Sequence, residues 1–182
     1  MSSSDQSPVL ILTGAPGSGK TTVARLLAAK SERAAHLESD RFFHFIQSGR
    51  IEPWKPESHA QNTIVMKIVA SAATGYAKAG YFTIIDGIIS PRWFLEPVRD
   101  SLHTAGYTVA YAVLRAPFPV CLSRARDRAP DRLSDAAVIE RLSREFVNLG
   151  HLETHVIDTG TQTADAAADV LSELLRTGRL VI

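Results

Sequence analysis

The 182 residues suit one folded domain, and a formal net charge of +1 gives no bulk electrostatic ground for a nucleic-acid or membrane partner. Hydrophobic residues make up 45% and charged residues 21%, an ordinary soluble composition, and no apolar run is long enough to span a bilayer. The single cysteine, Cys121, excludes an internal disulfide and fits a reducing, cytoplasmic setting.

Residues 1–7 lack both a basic start and an apolar core, so they read as a frayed tail rather than a signal peptide. Val9 to Thr13 is apolar without alternation, the pattern of a strand buried on both faces. It feeds Gly14-Ala15-Pro16-Gly17-Ser18-Gly19-Lys20-Thr21, which satisfies G-x-x-x-x-G-K-[ST] at every fixed position, and Thr22 to Ala29 follows as a helix. Glycines let the backbone approach a phosphate, and successive N–H groups converge at a helix mouth whose dipole favours anions. Lys20 then places a cation on β/γ-phosphates and the Thr21 hydroxyl is a ligand for Mg²⁺, so the stretch from Gly14 to Thr22 is expected to hold ATP.

Ala35 to Leu37 is a short strand ending at Glu38-Ser39-Asp40, and Arg41 to Ile46 a short helix capped by Ser39 or Asp40. Gln47 to Ser58, with Gly49, Pro53 and Pro56, is a loop. The longest helix runs from about Ala60 to Lys78, with a stripe of Ile64, Val65, Ile68, Val69, Ala72, Ala73 and Tyr76. Gly80 ends it, Tyr81 to Ile85 is a third strand closing at Asp86-Gly87, and Pro91 to Leu102 is helical with Pro91 in its first turn.

Tyr107 to Leu114 is a fourth strand and Pro117 to Arg126 a helix. Ser134 caps a helix through Asn148 that Gly150 ends, and His155 to Asp158 is a fifth strand. Thr163 opens the last helix, which runs to Arg176. Alternating strands and helices give α/β: parallel strands, right-handed crossovers, and helices on both faces of one sheet. Ligands bind beyond the carboxyl ends of such strands. That rule selects Gly14–Thr21, Ser39–Arg41, Asp86–Arg92, Arg115 and Asp158–Thr161.

Asp40 has two compatible readings, a base that takes a proton from an acceptor hydroxyl and a helix cap. Asp86 ends its strand as a Walker B carboxylate does, a metal position shared with Thr21. Gly87 follows it instead of Glu, against an ATP-driven machine, and no Asn-Lys-x-Asp signature marks a GTPase. Arg124 and Arg128 lie one helical turn apart on one face, suited to a lid over about 124–134, whereas Arg126 points off that face. His151 and His155 are placed for packing rather than for metal binding, and Trp54 either walls an acceptor pocket or anchors its loop.

These pieces make the chain resemble the P-loop kinases of small molecules and nucleotides, most closely the AAA-33 group related to chloramphenicol phosphotransferase, zeta toxin and gluconate kinase. The resemblance spans Val9 to Leu175 and implies a three-layer P-loop NTPase fold with five parallel strands in the order 2-3-1-4-5. It implies Asp40 as base, Lys20, Arg124 and Arg128 as the other catalytic groups, Arg124 on adenine, and Asp158, Thr159 and Gly160 in the turn packing on it. Adenylate kinases carry Asp-Gly-Phe-Pro-Arg after the third strand. Here Asp86-Gly87-Ile88-Ile89-Ser90-Pro91-Arg92 is two residues longer, and Phe43 stands where those enzymes place an Arg. An ATP- and Mg²⁺-dependent kinase of a small-molecule hydroxyl is therefore expected, with Asp40, Arg41 and Arg92 at the acceptor. The rivals are a nucleoside monophosphate kinase and a nucleotide-sensing module.

Overall fold

A strand such as Val9–Leu12, apolar at every position, needs cover on both faces. In the computed structural model, which describes residues 7–127, 133 and 135–182, it has that cover. The strands β1 (Val9–Gly14), β2 (Ala34–Glu38), β3 (Phe82–Asp86), β4 (Val109–Arg115) and β5 (Val156–Asp158) form one parallel sheet in the order β2-β3-β1-β4-β5. The helices are α1 (Lys20–Ala29), α2 (Ser39–Phe43), α3 (His59–Lys78), α4 (Leu95–Thr104), α5 (Phe118–Arg126), α6 (Ala136–Arg144) and α7 (Ala164–Arg176).

Successive β1 side chains enter opposite cores. Val9 and Ile11 pack with α3 and α4, and Leu10 and Leu12 with α1 and α7. At the bottom of β4, Tyr111 N donates to Leu180 O at 2.8 Å and Ile182 N to Val109 O at 3.0 Å, so the end of the described chain packs on the sheet. Tyr111 is fully buried, its hydroxyl donates to Ile89 O at 3.0 Å, and burial pushes its phenol above the usual range. Among the described residues no helix is long and apolar enough to cross a membrane.

The structure corrects several local expectations. On α3 the inward face is Asn62, Val65, Met66, Val69, Ala70, Ala73 and Ala77, while Ile64, Ile68 and Tyr76 are 60%, 51% and 48% exposed. The seam is rotated because small alanines, not the bulkiest side chains, let the helix settle on the sheet and α4. Neither Ser39 nor Asp40 caps α2: β2 runs straight into that helix, Glu38 takes the cap position, and the helix stops at Phe43 instead of Ile46. The α6 cap is Asp135, whose carboxylate accepts from Ala137 N and Val138 N, and the helix ends at Arg144 well before Asn148. Ser134, expected as that cap, lies outside the described residues. Gly150–His155 forms a 3-10 run, so β5 begins one residue later than expected.

Pro91 does not open a helix. Trp93 N and Leu95 N both donate to Ser90 O, at 2.8 and 3.3 Å, making a tight turn with Pro91 and Arg92 at its tip; α4 starts only at Leu95. Phe94 takes φ 64°, the one positive value at a described non-glycine residue, a conformation costing on the order of 1–3 kcal/mol.

Candidate functional site

The β1–α1 loop follows from its glycines. Gly17, at φ 88°, leans on α5 so closely that a Cβ there would stand 2.0 Å from the Cys121 carbonyl oxygen. Gly19, at φ 98°, is the cap of α1, and a Cβ there would meet nothing within 4 Å; the first amides of a helix have no partner within it and favour an anion at such a mouth. Gly17→Ala is therefore expected to cost about 2–5 kcal/mol of folding stability, from the left-handed backbone and the clash with a carbonyl that cannot rotate away. Urea melts measure it, and a loss below about 1 kcal/mol would mean that the loop moves off α5 freely.

Lys20 opens α1, is 8% exposed, and its Nζ donates to Gly14 O at 2.9 Å and Ala15 O at 3.0 Å. Thr21 Oγ1 donates to Asp86 Oδ2 at 2.7 Å, joining the two positions expected to share a metal. Thr22 is exposed on the next position of the helix, and the Ser18 hydroxyl is buried in the loop without a partner among the described residues. Thr159 ties the loop to the turn after β5: its Oγ1 donates to Ser18 O at 2.8 Å, and its carbonyl accepts from Arg124 Nη1 at 3.0 Å. Arg124 and Thr159 are thus brought together beside the phosphate loop. Arg128 and the rest of the expected lid through Arg132 lie outside the described residues.

Two residues in the site escaped the sequence reading. His36 Nε2 lies 3.2 Å from Asp86 Oδ2, so the buried Asp86 carboxylate is held by both Thr21 and His36. Glu38, 8% exposed and in register with Asp86, faces Arg25 at 3.1 Å and Arg41 at 3.2 Å. The available signal was the alternation on β2, where His36 and Glu38 share the face toward α1. Arg41, expected at the acceptor, points to Glu38 and is not among the cleft-lining residues. Arg115 also has another use: Glu153 binds it through both oxygens at 2.9 Å, and that pairing, with Leu149 N, lowers the Glu153 pKa.

A cleft of about 720 Å³ opens over the carboxyl ends of β1, β2 and β3. Lys20, Thr21, Glu38, Asp40 and Asp86 line it, together with Phe43, Trp54, His59, Arg92, Trp93, Arg141 and Glu145 among others. Gly87 packs under the start of α2: a Cβ there would stand 2.0 Å from Ser39 Oγ, so the buried Ser39 side chain would have to shift. The loop at 51–58 is a strap fixed to α3. Gln61 bonds both backbone groups of Ile51, Asn62 Nδ2 donates to Pro53 O at 2.8 Å, and Ser58 Oγ reaches the same carbonyl. Trp54 lines the cleft, and its carbonyl accepts from Arg141 Nη2 at 3.0 Å. Among the described residues no three His, Cys, Asp or Glu side chains group to hold a metal by themselves.

A family model described as an AAA domain, AAA_33, matches residues 9–149. No curated protein matches the sequence. The solved structures similar to it include the tunicamycin resistance protein of Deinococcus radiodurans, at 20% identity and a TM-score of 0.70 over 93% of this chain and 95% of that one. The APS kinase of Mycobacterium tuberculosis, in complex with AMPPNP and APS, is 17% identical with a TM-score of 0.69 over 94% and 98%. The shikimate kinase of Acinetobacter baumannii, in complex with shikimate, is 21% identical with a TM-score of 0.63 over 95% of each. At such identities the likeness establishes the fold. By family match and strand order together, the chain belongs to the AAA_33 family and has the P-loop kinase fold.

Proposed function

We propose that this protein is an ATP-dependent kinase that transfers the γ-phosphate to a hydroxyl of a small molecule. The observation that carries the reading is one cleft shared by Lys20, Thr21, Asp86 and Asp40 with an aromatic-walled recess beside them. The residues fit the groups this reaction needs. The space beside Gly19 is open, and the Thr21 hydroxyl and Asp86 carboxylate already stand 2.7 Å apart. Those two would hold Mg²⁺, which when bound neutralises charge between the β- and γ-phosphates.

Lys20 would turn from the loop carbonyls to the phosphates, as a compact cation on a flexible stem can. Asp40 would take the proton of the acceptor hydroxyl as that oxygen forms its bond to phosphorus and the bond from phosphorus to the ADP oxygen breaks. Arg124, held at the Thr159 turn, would cover the adenine side. Arg92 would meet the acceptor, and Arg128 completes the lid in this reading. The reading includes a cytoplasmic setting and a small-molecule acceptor instead of a nucleic acid or membrane.

The test is ADP formation from ATP, with and without Mg²⁺, against hydroxyl compounds and then nucleoside monophosphates. Saturable, Mg²⁺-dependent turnover with a hydroxyl compound is the expected result. Turnover with a single monophosphate instead would reassign the acceptor. Background ADP across both panels, with ATP bound, would make the chain a sensing module.

A further inference from the structure

Asp86 sits on a crowded face of the sheet. It stands in register with Glu38 across the β2–β3 pair, and His36, two residues before Glu38, shares that face. Both carboxylates are buried, at 4% and 8% exposure, where like charges repel strongly and each needs its own partners. The partners are divided between them. Glu38 turns to Arg25 and Arg41, and Asp86 to Thr21 and His36.

Both partners of Asp86 engage the same oxygen. Thr21 Oγ1 is 2.7 Å and His36 Nε2 3.2 Å from Oδ2, while Oδ1 has no partner among the described residues. An ionised carboxylate only accepts, so the imidazole nitrogen facing it carries a proton. The two donors differ in kind. The Thr21 hydroxyl turns about its own bond and belongs to the loop that receives the nucleotide in this reading. The His36 ring stands on a strand, with its side chain 13% exposed. Asp86 lines the cleft and His36 does not, so His36 reaches the site only through that carboxylate.

We propose that His36 is a positioning residue for the divalent metal: its Nε2–H holds Asp86 Oδ2, fixes the rotation of the carboxylate, and leaves Oδ1 for the metal position shared with Thr21. Groups that hydrogen-bond a metal's ligands orient them, and losing one typically costs about 10–100-fold in metal affinity. The proposal rests on the metal assignment within the kinase reading. Its test reads metal binding without phosphoryl transfer, so a chain that binds metal and nucleotide but transfers nothing would leave it standing.

The probe is Mn²⁺, titrated into the full chain in excess over AMPPNP, so that no free nucleotide competes, and followed by the electron paramagnetic resonance signal of the free ion. His36→Leu, which fills the space without a donor, should weaken Mn²⁺ binding by about 10–100-fold. His36→Gln, whose amide nitrogen reaches the place of Nε2, should stay within about threefold of the parent. Calorimetric titration with AMPPNP in EDTA should give affinities within about twofold for the parent and both variants, because a residue acting through the metal position has no effect without metal. A merely structural role would lower metal-free nucleotide affinity as well, and Gln would not rescue it. Should His36→Leu fail to fold, His36→Asn, whose amide is too short to reach Asp86, takes its place. Unchanged Mn²⁺ affinity without the donor, an equal loss in His36→Gln, or a parallel loss in EDTA would each overturn the proposal. A parent complex that binds no Mn²⁺ would overturn it together with the metal assignment, a result read before any variant is made.

Discussion

Replacing Asp40 by Asn is expected to lower turnover by about 10²–10⁴-fold, the usual loss when a general base is removed, while ATP affinity stays within about twofold. The two side chains have nearly the same shape, so the substitution tests basicity and charge, not packing. Asp40 is exposed on the first turn of α2 and does not cap that helix, which limits the structural cost. An acidic group in a first turn contributes about 0.3–1 kcal/mol through the helix dipole, and less in a helix of only five residues. A fall in activity of two or more orders of magnitude with an almost unchanged melting temperature would therefore be chemical in origin. Single-turnover kinetics under saturating ATP and acceptor is the measurement, because it separates the chemical step from product release. Turnover within tenfold of the parent would remove Asp40 as the base and leave Glu38, two residues earlier on the same cleft, as the next carboxylate to test.

The parts of this site that the sequence makes legible are those fixed by local chemistry. An apolar strand, a glycine loop and a helix in immediate succession define β1, the phosphate hollow and α1 with no knowledge of the rest of the chain. The parity of strand and helix then yields the sheet, and the ends of its strands gather Lys20, Thr21, Asp40 and Asp86. What is not legible depends on partners distant in sequence. Pro91 suits the first turn of a helix and the second position of a β-turn equally well; the choice is made by Ser90, whose carbonyl and hydroxyl are committed to Trp93, Leu95 and Glu145. The face of α3 is chosen by the sheet and α4, which accept Ala70, Ala73 and Ala77 more closely than Ile64 or Ile68. His36 and Glu38 are not legible because alternation over a five-residue strand is a weak pattern. Arg41 looked available because nothing in the sequence says that Glu38, three residues earlier, lies buried next to it.

Lys20→Met should lower turnover by about 10²–10³-fold, the range seen when one donor to a developing anion is removed from a preorganised site, and should weaken ATP binding more than ADP binding. Met keeps the length and apolar stem of Lys in a position that is 8% exposed, so packing of α1 on β1 is preserved. What is lost is the charge, together with the bonds to Gly14 O and Ala15 O. The ATP–ADP difference is the informative readout. A lysine that serves only to hold the loop together through those carbonyls would, when removed, weaken both nucleotides alike and lower the melting temperature of the nucleotide-free protein. A lysine that moves onto the terminal phosphates would discriminate between them. Lys20→Arg should not restore activity, because the planar guanidinium is too wide for a buried site shaped around a compact ammonium. Calorimetric titration of each variant with Mg·ATP and Mg·ADP distinguishes the two roles. Equal losses for both nucleotides, with a destabilised nucleotide-free protein, would restrict Lys20 to holding the loop's conformation.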